Sequence, residues 1–282
     1  MNCLYKNTLM ENDTGGITMT GTPIYQVDSF TSASFRGNPA GVCFPESGAS
    51  VEWMQSVAAE MNLSETAFLM GSRGRYNLRW FTPRAEVELC GHATLAAAHI
   101  LWTEGREPEG RCLIFDTLSG ELSATRDRDW IELDFPADPP QPCDPPGGLA
   151  EALGCKPLCV LKCRYDWFCV LESETAVRAL DPDFRALAGL TSRGLLVTST
   201  PDDPRYDFVS RFFAPAVGID EDPVTGSAHC CLGPWWAEKL GKKSLTGFQA
   251  SRRGGVVRVI PRGERVRLAG EAVTVIRGAL QG

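Results

Sequence analysis

Glu65, His92 and Asp222 are the side chains whose neighbours best suit them to moving a proton. Glu65 stands in Asn62-Leu63-Ser64-Glu65-Thr66-Ala67-Phe68, with Glu60 and Arg73 the nearest other charges. Apolar surroundings disfavour the charged form of a carboxylate, so its pKa rises. Such a group can take and return a proton near neutral pH. The same position also suits a glutamate that caps a turn or faces water. His92 follows Gly91 at the start of an expected helix, where the positive helix end favours the neutral imidazole. It can donate or accept a proton there, or cap the helix. Asp222, in Glu221-Asp222-Pro223, can anchor a substrate amine or hydroxyl, or turn the chain ahead of the proline.

Two helix starts could supply the complementary charge. Cys90-Gly91-His92-Ala93-Thr94 opens one helix, and Thr225-Gly226-Ser227-Ala228-His229 opens another. The first N–H groups of a helix have no intrahelical partner and carry partial positive charge. Gly91 and Gly226 let backbone approach a ligand with no Cβ in the way. Two such ends facing one cleft would bind a carboxylate or an enolate-like oxygen. Thr94, Thr225 and Ser227 add hydroxyls, although Thr225 or Ser227 could instead serve as an ordinary N-cap. Of the other two histidines, His99 reads as a core residue and His229 could point either way.

These residues need a scaffold. Ile24–Asp28 and Ala40–Phe44 read as strands joined by a turn through Gly37-Asn38-Pro39. The 3–4 spacing of Met54, Val57, Ala58 and Met61 predicts a helix over residues 50–61, with Ser50 at its N-cap. A strand follows Asn62, and Tyr76–Phe81 is another. The helix from residue 91 to about Trp102 carries no charge on any face, so sheet must surround it. Three antiparallel strands are expected over 112–117, 121–125 and 130–135. The proline-dense stretch 136–147 is the best boundary. Beyond it come helices near 149–153, 175–180 and 225–240. Strands are expected near 158–164, 168–171, 194–198, 206–213, 256–260, 265–268 and 272–276.

Composition narrows the function. The chain has 282 residues, 43% of them hydrophobic and 22% charged, with a net charge of −7. An acidic chain without a basic run is a poor nucleic-acid binder. No apolar segment approaches the roughly 18 residues of a membrane helix. Residues 1–21 contain no signal-like apolar run and read as an unstructured extension. The eleven cysteines are therefore expected to be reduced thiols in a cytoplasmic protein. Cys155, Cys159 and Cys163 are spaced by four, but Pro157 interrupts any helix there. Spacing thus identifies no metal site, and these read as strand and loop thiols.

The chain also echoes itself. Arg79-Trp80-Phe81-Thr82-Pro83 resembles Arg211-Phe212-Phe213-Ala214-Pro215, and each string precedes a loop and a glycine-led helix containing histidine. A duplication would give two similar α+β halves, each a sheet around a central helix. Clefts between such halves are common small-ligand sites.

Four segments together carry a family resemblance: Phe35–Val42 (FRGNPAGV), Asn62–Phe68 (NLSETAF), Arg79–Ile100 (RWFTPRAEVELCGHATLAAAHI) and Asp222–Ala228 (DPVTGSA). They resemble the PhzF-like (phenazine biosynthesis) isomerases, which have the diaminopimelate epimerase fold. The resemblance implies two pseudo-symmetric halves, 22–135 and 136–269, with the C-terminal strand near 270–282 returning to the first. It implies an active site between the halves and, commonly, a homodimer. It also implies isomerisation of a small carboxylate-bearing molecule without cofactor or metal, by a glutamate that shuttles a proton. By motif match that glutamate is Glu65, beside His92 and Asp222, with Gly91, Gly226, Ser227 and Thr225 expected at the substrate. Related epimerases and racemases place one cysteine at each helix start. Cys90 occupies the first such place, but Pro223-Val224-Thr225 holds no thiol at the second, and Cys230 and Cys231 lie deeper. A thiol-dependent racemase and a non-catalytic binding protein are the alternative readings.

Overall fold

The computed structural model describes residues 21–45, 48–191 and 193–281. The expected extension over 1–21 lies, apart from Gly21, outside the described residues. The first half contains β1 (Thr22–Ser29), β2 (Asn38–Cys43), α1 (Val51–Met61), β3 (Glu65–Ser72), β4 (Arg75–Phe81), β5 (Glu86–Val87), α2 (Gly91–Thr103), β6 (Leu113–Thr117), β7 (Gly120–Asp127) and β8 (Trp130–Pro136). The second runs through β9 (Gln141–Pro142), α3 (Leu149–Leu153), β10 (Cys159–Lys162), β11 (Asp166–Val170), α4 (Glu174–Ala179), α5 (Phe184–Leu190), β12 (Gly194–Ser199), β13 (Phe208–Phe213), α6 (Gly226–Leu240), β14 (Leu245–Gln249), β15 (Gly255–Arg262) and β16 (Arg265–Gly270). β17 (Ala272–Leu280) closes the chain.

The two sets of strands pair by one rule. β1 is antiparallel to β2, β2 parallel to β3, β3 antiparallel to β4, β4 parallel to β6, and β6, β7 and β8 are antiparallel. The sequence of pairings repeats from β10 through β11, β12, β13, β14 and β15 to β16. β9 lies antiparallel on β10, as β17 lies antiparallel on β1. β8 and β16 pair antiparallel, so one sheet runs through both halves. The fold is α+β, one continuous mixed sheet rolled around a central helix in each half.

The echo is physical as well as textual. Arg79 donates Nε and Nη2 to Glu86 at 2.6 and 2.7 Å, and Arg211 does the same to Glu221 at 2.6 and 2.9 Å. In each half a strand arginine ties down the loop that leads to the central helix. Bidentate pairing of this kind fixes geometry as well as supplying energy.

Burial alternates along the strands and sorts the helices. In β3, Ala67 and Leu69 face the central core with α2, while Phe68 faces Met54, Val57 and Ala58 of α1. In β12, Leu196 faces inward, and Leu195 and Val197 meet the outer helices α3 to α5. Ser50 caps α1 as expected, accepting from the Trp53 N–H at 3.2 Å. α2 is buried along nearly its whole length by β1, β2, β3, β8 and β17. Its small residues set how closely the sheet wraps: Ala93, Ala96, Ala97 and Ala98 are all fully buried. Ala96→Leu is expected to overpack this shell and cost about 1–3 kcal/mol, read as a lower denaturant midpoint.

Local pattern misses several elements. α5 is absent from the sequence reading, although Asp183 is a capping signal and accepts from the Ala186 N–H at 2.9 Å. β14, Leu-Thr-Gly-Phe-Gln, is missed because its buried face is Leu245, Gly247 and Gln249, which shows no apolar alternation. Asn38 and Pro39, expected in a turn, open β2. The proline-rich boundary holds the short strand β9, whose pairing with β10 no local signal announces.

Candidate active site

The N-termini of α2 and α6 meet at two glycines. A Cβ on Gly91 would lie 3.5 Å from the Gly226 Cα, and one on Gly226 would lie 3.5 Å from the Gly91 Cα. Their N-cap residues, Cys90 and Thr225, are extended and make no side-chain capping hydrogen bond. The Thr225 hydroxyl instead donates to Asp222 Oδ2 at 2.5 Å. Ordinary capping by Thr225 is thus replaced by a bond that orients a carboxylate. Ser227 stands half-buried in the first turn of α6.

Glu65 begins β3, one strand away from Asn38 through the parallel β2–β3 register that pairs it with Ala40. Its Oε2 lies 3.2 Å from His92 Nε2, and the two side chains are 14% and 7% exposed. The two atoms are not aligned as a hydrogen bond, and neither has another partner. His92 Nδ1 contacts the Cys90 thiol at 3.5 Å. The three ligand-type atoms of Glu65, Cys90 and His92 all fall within 4.8 Å of one another.

Burial sets the protonation of this group. The Glu65 carboxyl is pushed up to about 7, first by burial and then by the nearby charge of Asp222. Burial pushes the His92 imidazole down to about 3. The neutral His92 expected at the helix end is produced by desolvation. Asp222 is raised to about 6 by burial, against the hydrogen bonds from Thr225 and Asn38. Burial also lifts the Cys90 thiol well above its ordinary value. Near neutral pH the site therefore offers a half-ionised glutamate beside an uncharged histidine.

Three supporting residues escape a reading by residue type. Asn38 Nδ2 donates to Asp222 Oδ1 at 2.8 Å and to the Val224 carbonyl at 2.9 Å. Gln249 donates to the Asp222 carbonyl at 2.8 Å and accepts from the Thr225 N–H at 2.9 Å. Ser29 holds the His92 carbonyl at 2.8 Å. Asn38 lies inside the FRGNPAGV segment and could have been singled out from it. Gln249 has no comparable signal, because it ends the strand that local pattern misses. The remaining histidines stay apart from this group. His99 Nε2 meets Thr274 Oγ1 at 3.0 Å, and buried His229 donates Nδ1 to the Thr225 carbonyl at 2.8 Å.

The likeness to known proteins covers nearly the whole chain. Residues 27–278 match the family described as phenazine biosynthesis-like protein. An uncharacterized isomerase of Halalkalibacterium halodurans is 50% identical over 263 residues, covering 93% of this chain and 99% of that protein. The crystal structure of a PhzF-family phenazine biosynthesis protein from Enterococcus faecalis superposes with a TM-score of 0.87 at 40% identity, covering 92% of this chain and 98% of that one. A probable proline racemase from Agrobacterium radiobacter reaches a TM-score of 0.60 at 10% identity over 92% and 93% of the two chains, a likeness of fold alone. The paired halves and the meeting of their central helices thus belong to a wider architecture. By sequence and by fold, this chain is a member of the phenazine biosynthesis-like (PhzF-like) family.

Proposed function

We propose that the protein is a cofactor-independent isomerase that moves a proton, and with it a double bond, on a small carboxylate-bearing molecule. The observation that carries this reading is the largely buried Glu65 carboxylate 3.2 Å from His92, the residue that follows Gly91 where the two helix N-termini meet; burial pushes the Glu65 pKa up to about 7. Ionised Glu65 takes a proton from a carbon next to an unsaturated or carboxylate-conjugated centre. The electron pair of that C–H bond becomes part of a new double bond. The anion that develops is stabilised by the helix-start amides at Gly91, Gly226 and Ser227 and by a hydrogen bond from neutral His92. Glu65, now protonated, returns the proton to another carbon, and the double bond moves. Asp222, fixed by Asn38 and Thr225, accepts a hydrogen bond from a substrate amine or hydroxyl. The isomerase named among the relatives at 50% identity supports the reaction class.

Stereoinversion by paired thiols fits less well. Cys90 faces Glu65, but Thr225 stands at the equivalent cap of α6. A thiol raised well above its usual range is also a poor thiolate base. The test is incubation in D₂O with a panel of small cyclic and amino-acid-like carboxylic acids, preselected by thermal shift. A substrate should return as an isomer carrying deuterium. Cys90→Ser keeps a hydroxyl that can still donate to Glu65 and should retain most of the turnover. Loss of all turnover in Cys90→Ser, or inversion at an α-carbon with no shift of unsaturation, would overturn the proposal.

A further inference from the structure

Away from the helix junction, three segments bring ligand-type side chains together in the second half. The Asp138 carboxylate and the Cys163 and Cys231 thiols all lie within 4.8 Å of one another. Cys163 is 3% exposed and Cys231 1%, whereas Asp138 reaches partly to the surface. They come from the segment after β8, the β10–β11 turn and the second turn of α6. We propose that Asp138, Cys163 and Cys231 form a binding site for a thiophilic divalent cation of the zinc class, with water in the fourth position.

The separation of Cys231 from Asp138 suits such an ion. Zinc–sulfur and zinc–oxygen bonds in tetrahedral geometry imply S–O edges of about 3.6 Å and S–S edges of about 3.8 Å. Cys231 Sγ lies 3.6 Å from Asp138 Oδ2. Asp138 and Cys163 are held by bonds that their own backbone or carboxylate makes. Pro234 lacks the N–H that would bind the Cys230 carbonyl inside α6, and the Asp138 N–H takes that carbonyl at 3.1 Å. The break in the helix ladder thus places Asp138 against Cys231. The Asp138 carboxylate accepts from the Arg164 N–H at 3.2 and 3.1 Å, the outer-shell support expected of a metal carboxylate. Cys163 is fixed by its N–H to the Asp166 carbonyl at 2.9 Å.

Two thiolates and a carboxylate exceed a divalent cation by one negative charge. The Arg193 guanidinium acts on both Cys231 and Asp138, but buried Asp166 pairs with it, so the site with its ion keeps one net negative charge. Soft thiolate ligands with one carboxylate favour zinc-like ions over magnesium or calcium. A bound ion would lock the inter-half segment and the β10–β11 turn to α6. Cys231 also contacts the Ser227 carbonyl at 3.7 Å, so the brace reaches the first turn of the helix.

The test uses the full chain, kept reduced, and titrated with Co²⁺ as a spectroscopic stand-in. One equivalent should give the visible bands of tetrahedral cobalt and a thiolate charge-transfer band, and Zn²⁺ should displace it and raise Tm. Cys231→Ser and Cys163→Ser should abolish both responses. Asp138→Asn, which keeps the shape, should weaken binding by more than the about 10–100-fold that loss of an outer-shell partner costs. Cys143→Ser and Cys90→Ser should leave the spectrum unchanged. The proposal is overturned if tetrahedral bands never form, if they persist in Cys231→Ser, or if Cys90→Ser removes them instead, which would place the ion at Glu65 and His92.

Discussion

Glu65→Gln is expected to lower turnover by about 100- to 10,000-fold, the usual contribution of a positioned acid–base group, and to make the protein more stable at pH 7–8. Glutamine fills the same space and cannot carry the proton. The stability gain follows from linkage. The Glu65 carboxyl rises from an ordinary value of 4.5 to about 7 in the folded protein. A raised folded-state pKa contributes stability that is fully present below pH 4.5 and is lost as pH climbs through 7. The loss amounts to about 3 kcal/mol. His92 acts in the opposite sense. It stays neutral when folded, with its pKa lowered to about 3, and so costs stability as pH falls through about 6.5. Over pH 4.5–6.5 the two slopes offset each other in the parent protein. The difference in unfolding free energy between parent and variant isolates the Glu65 contribution. It should widen in favour of Glu65→Gln from pH 4.5 to 7 and then level off. A parent protein as stable as the variant at pH 8 would mean that Glu65 is not held in a poorly hydrated site. Unchanged turnover in the variant would remove it from the chemistry.

Arg253→Met is expected to cost about 3–5 kcal/mol, as breaking a buried ion pair from one side does, and to lower Tm by about 10 °C. Arg253 follows β14 in the second half and reaches into the first. Its Nη2 donates to Asp28 Oδ1 at 2.9 Å and to the Arg36 carbonyl at 2.8 Å, and its Nε donates to the Gly37 carbonyl at 2.7 Å. The Asp28 side chain is 1% exposed, so removing the guanidinium leaves a buried carboxylate with, among the described residues, the Phe35 N–H as its partner. Two residues of this loop, Phe30 and Phe35, have φ of 63° and 68°, a conformation costly for bulky residues. The Arg253 clamp helps to over-determine that backbone. Asn38, which fixes Asp222, follows the loop directly. The effect on stability is therefore expected to come with weaker ligand binding. Thermal unfolding measures the first and ligand-induced Tm shift the second. A Tm within about 2 °C of the parent would show that the clamp contributes little.

Much of the architecture was legible because it is written locally. The charge-free run of α2 required a surrounding sheet, and β1, β2, β3, β8 and β17 provide it. Ser50 announced the start of α1. The repeated Arg-x-Phe-x-Pro strings, each ahead of a loop and a glycine-led helix with histidine, pointed to the duplication, and the structure adds that each arginine pairs with a glutamate on the following loop. Elements whose stability comes from neighbours stayed hidden. β9 has only two residues, and the buried face of β14 is Leu245, Gly247 and Gln249, which carries no apolar alternation; each exists because a partner strand supplies its hydrogen bonds.

Residue types and their order along the chain set the chemical inventory. They supplied a glutamate in apolar surroundings, glycine-led helix starts, and the absence of a thiol at the second of them. Those properties depend on residue type and immediate neighbours, which a linear reading sees. Distance and solvation came from the packing of the folded chain. It set the 3.2 Å between Glu65 and His92, and it recruited Asn38 and Gln249 as holders of the Asp222 segment. It also gathered Asp138, Cys163 and Cys231 from across the second half. A carboxylate's proton affinity and a thiol's neighbours are set by what packs around them, and that packing is decided by strands far apart along the chain.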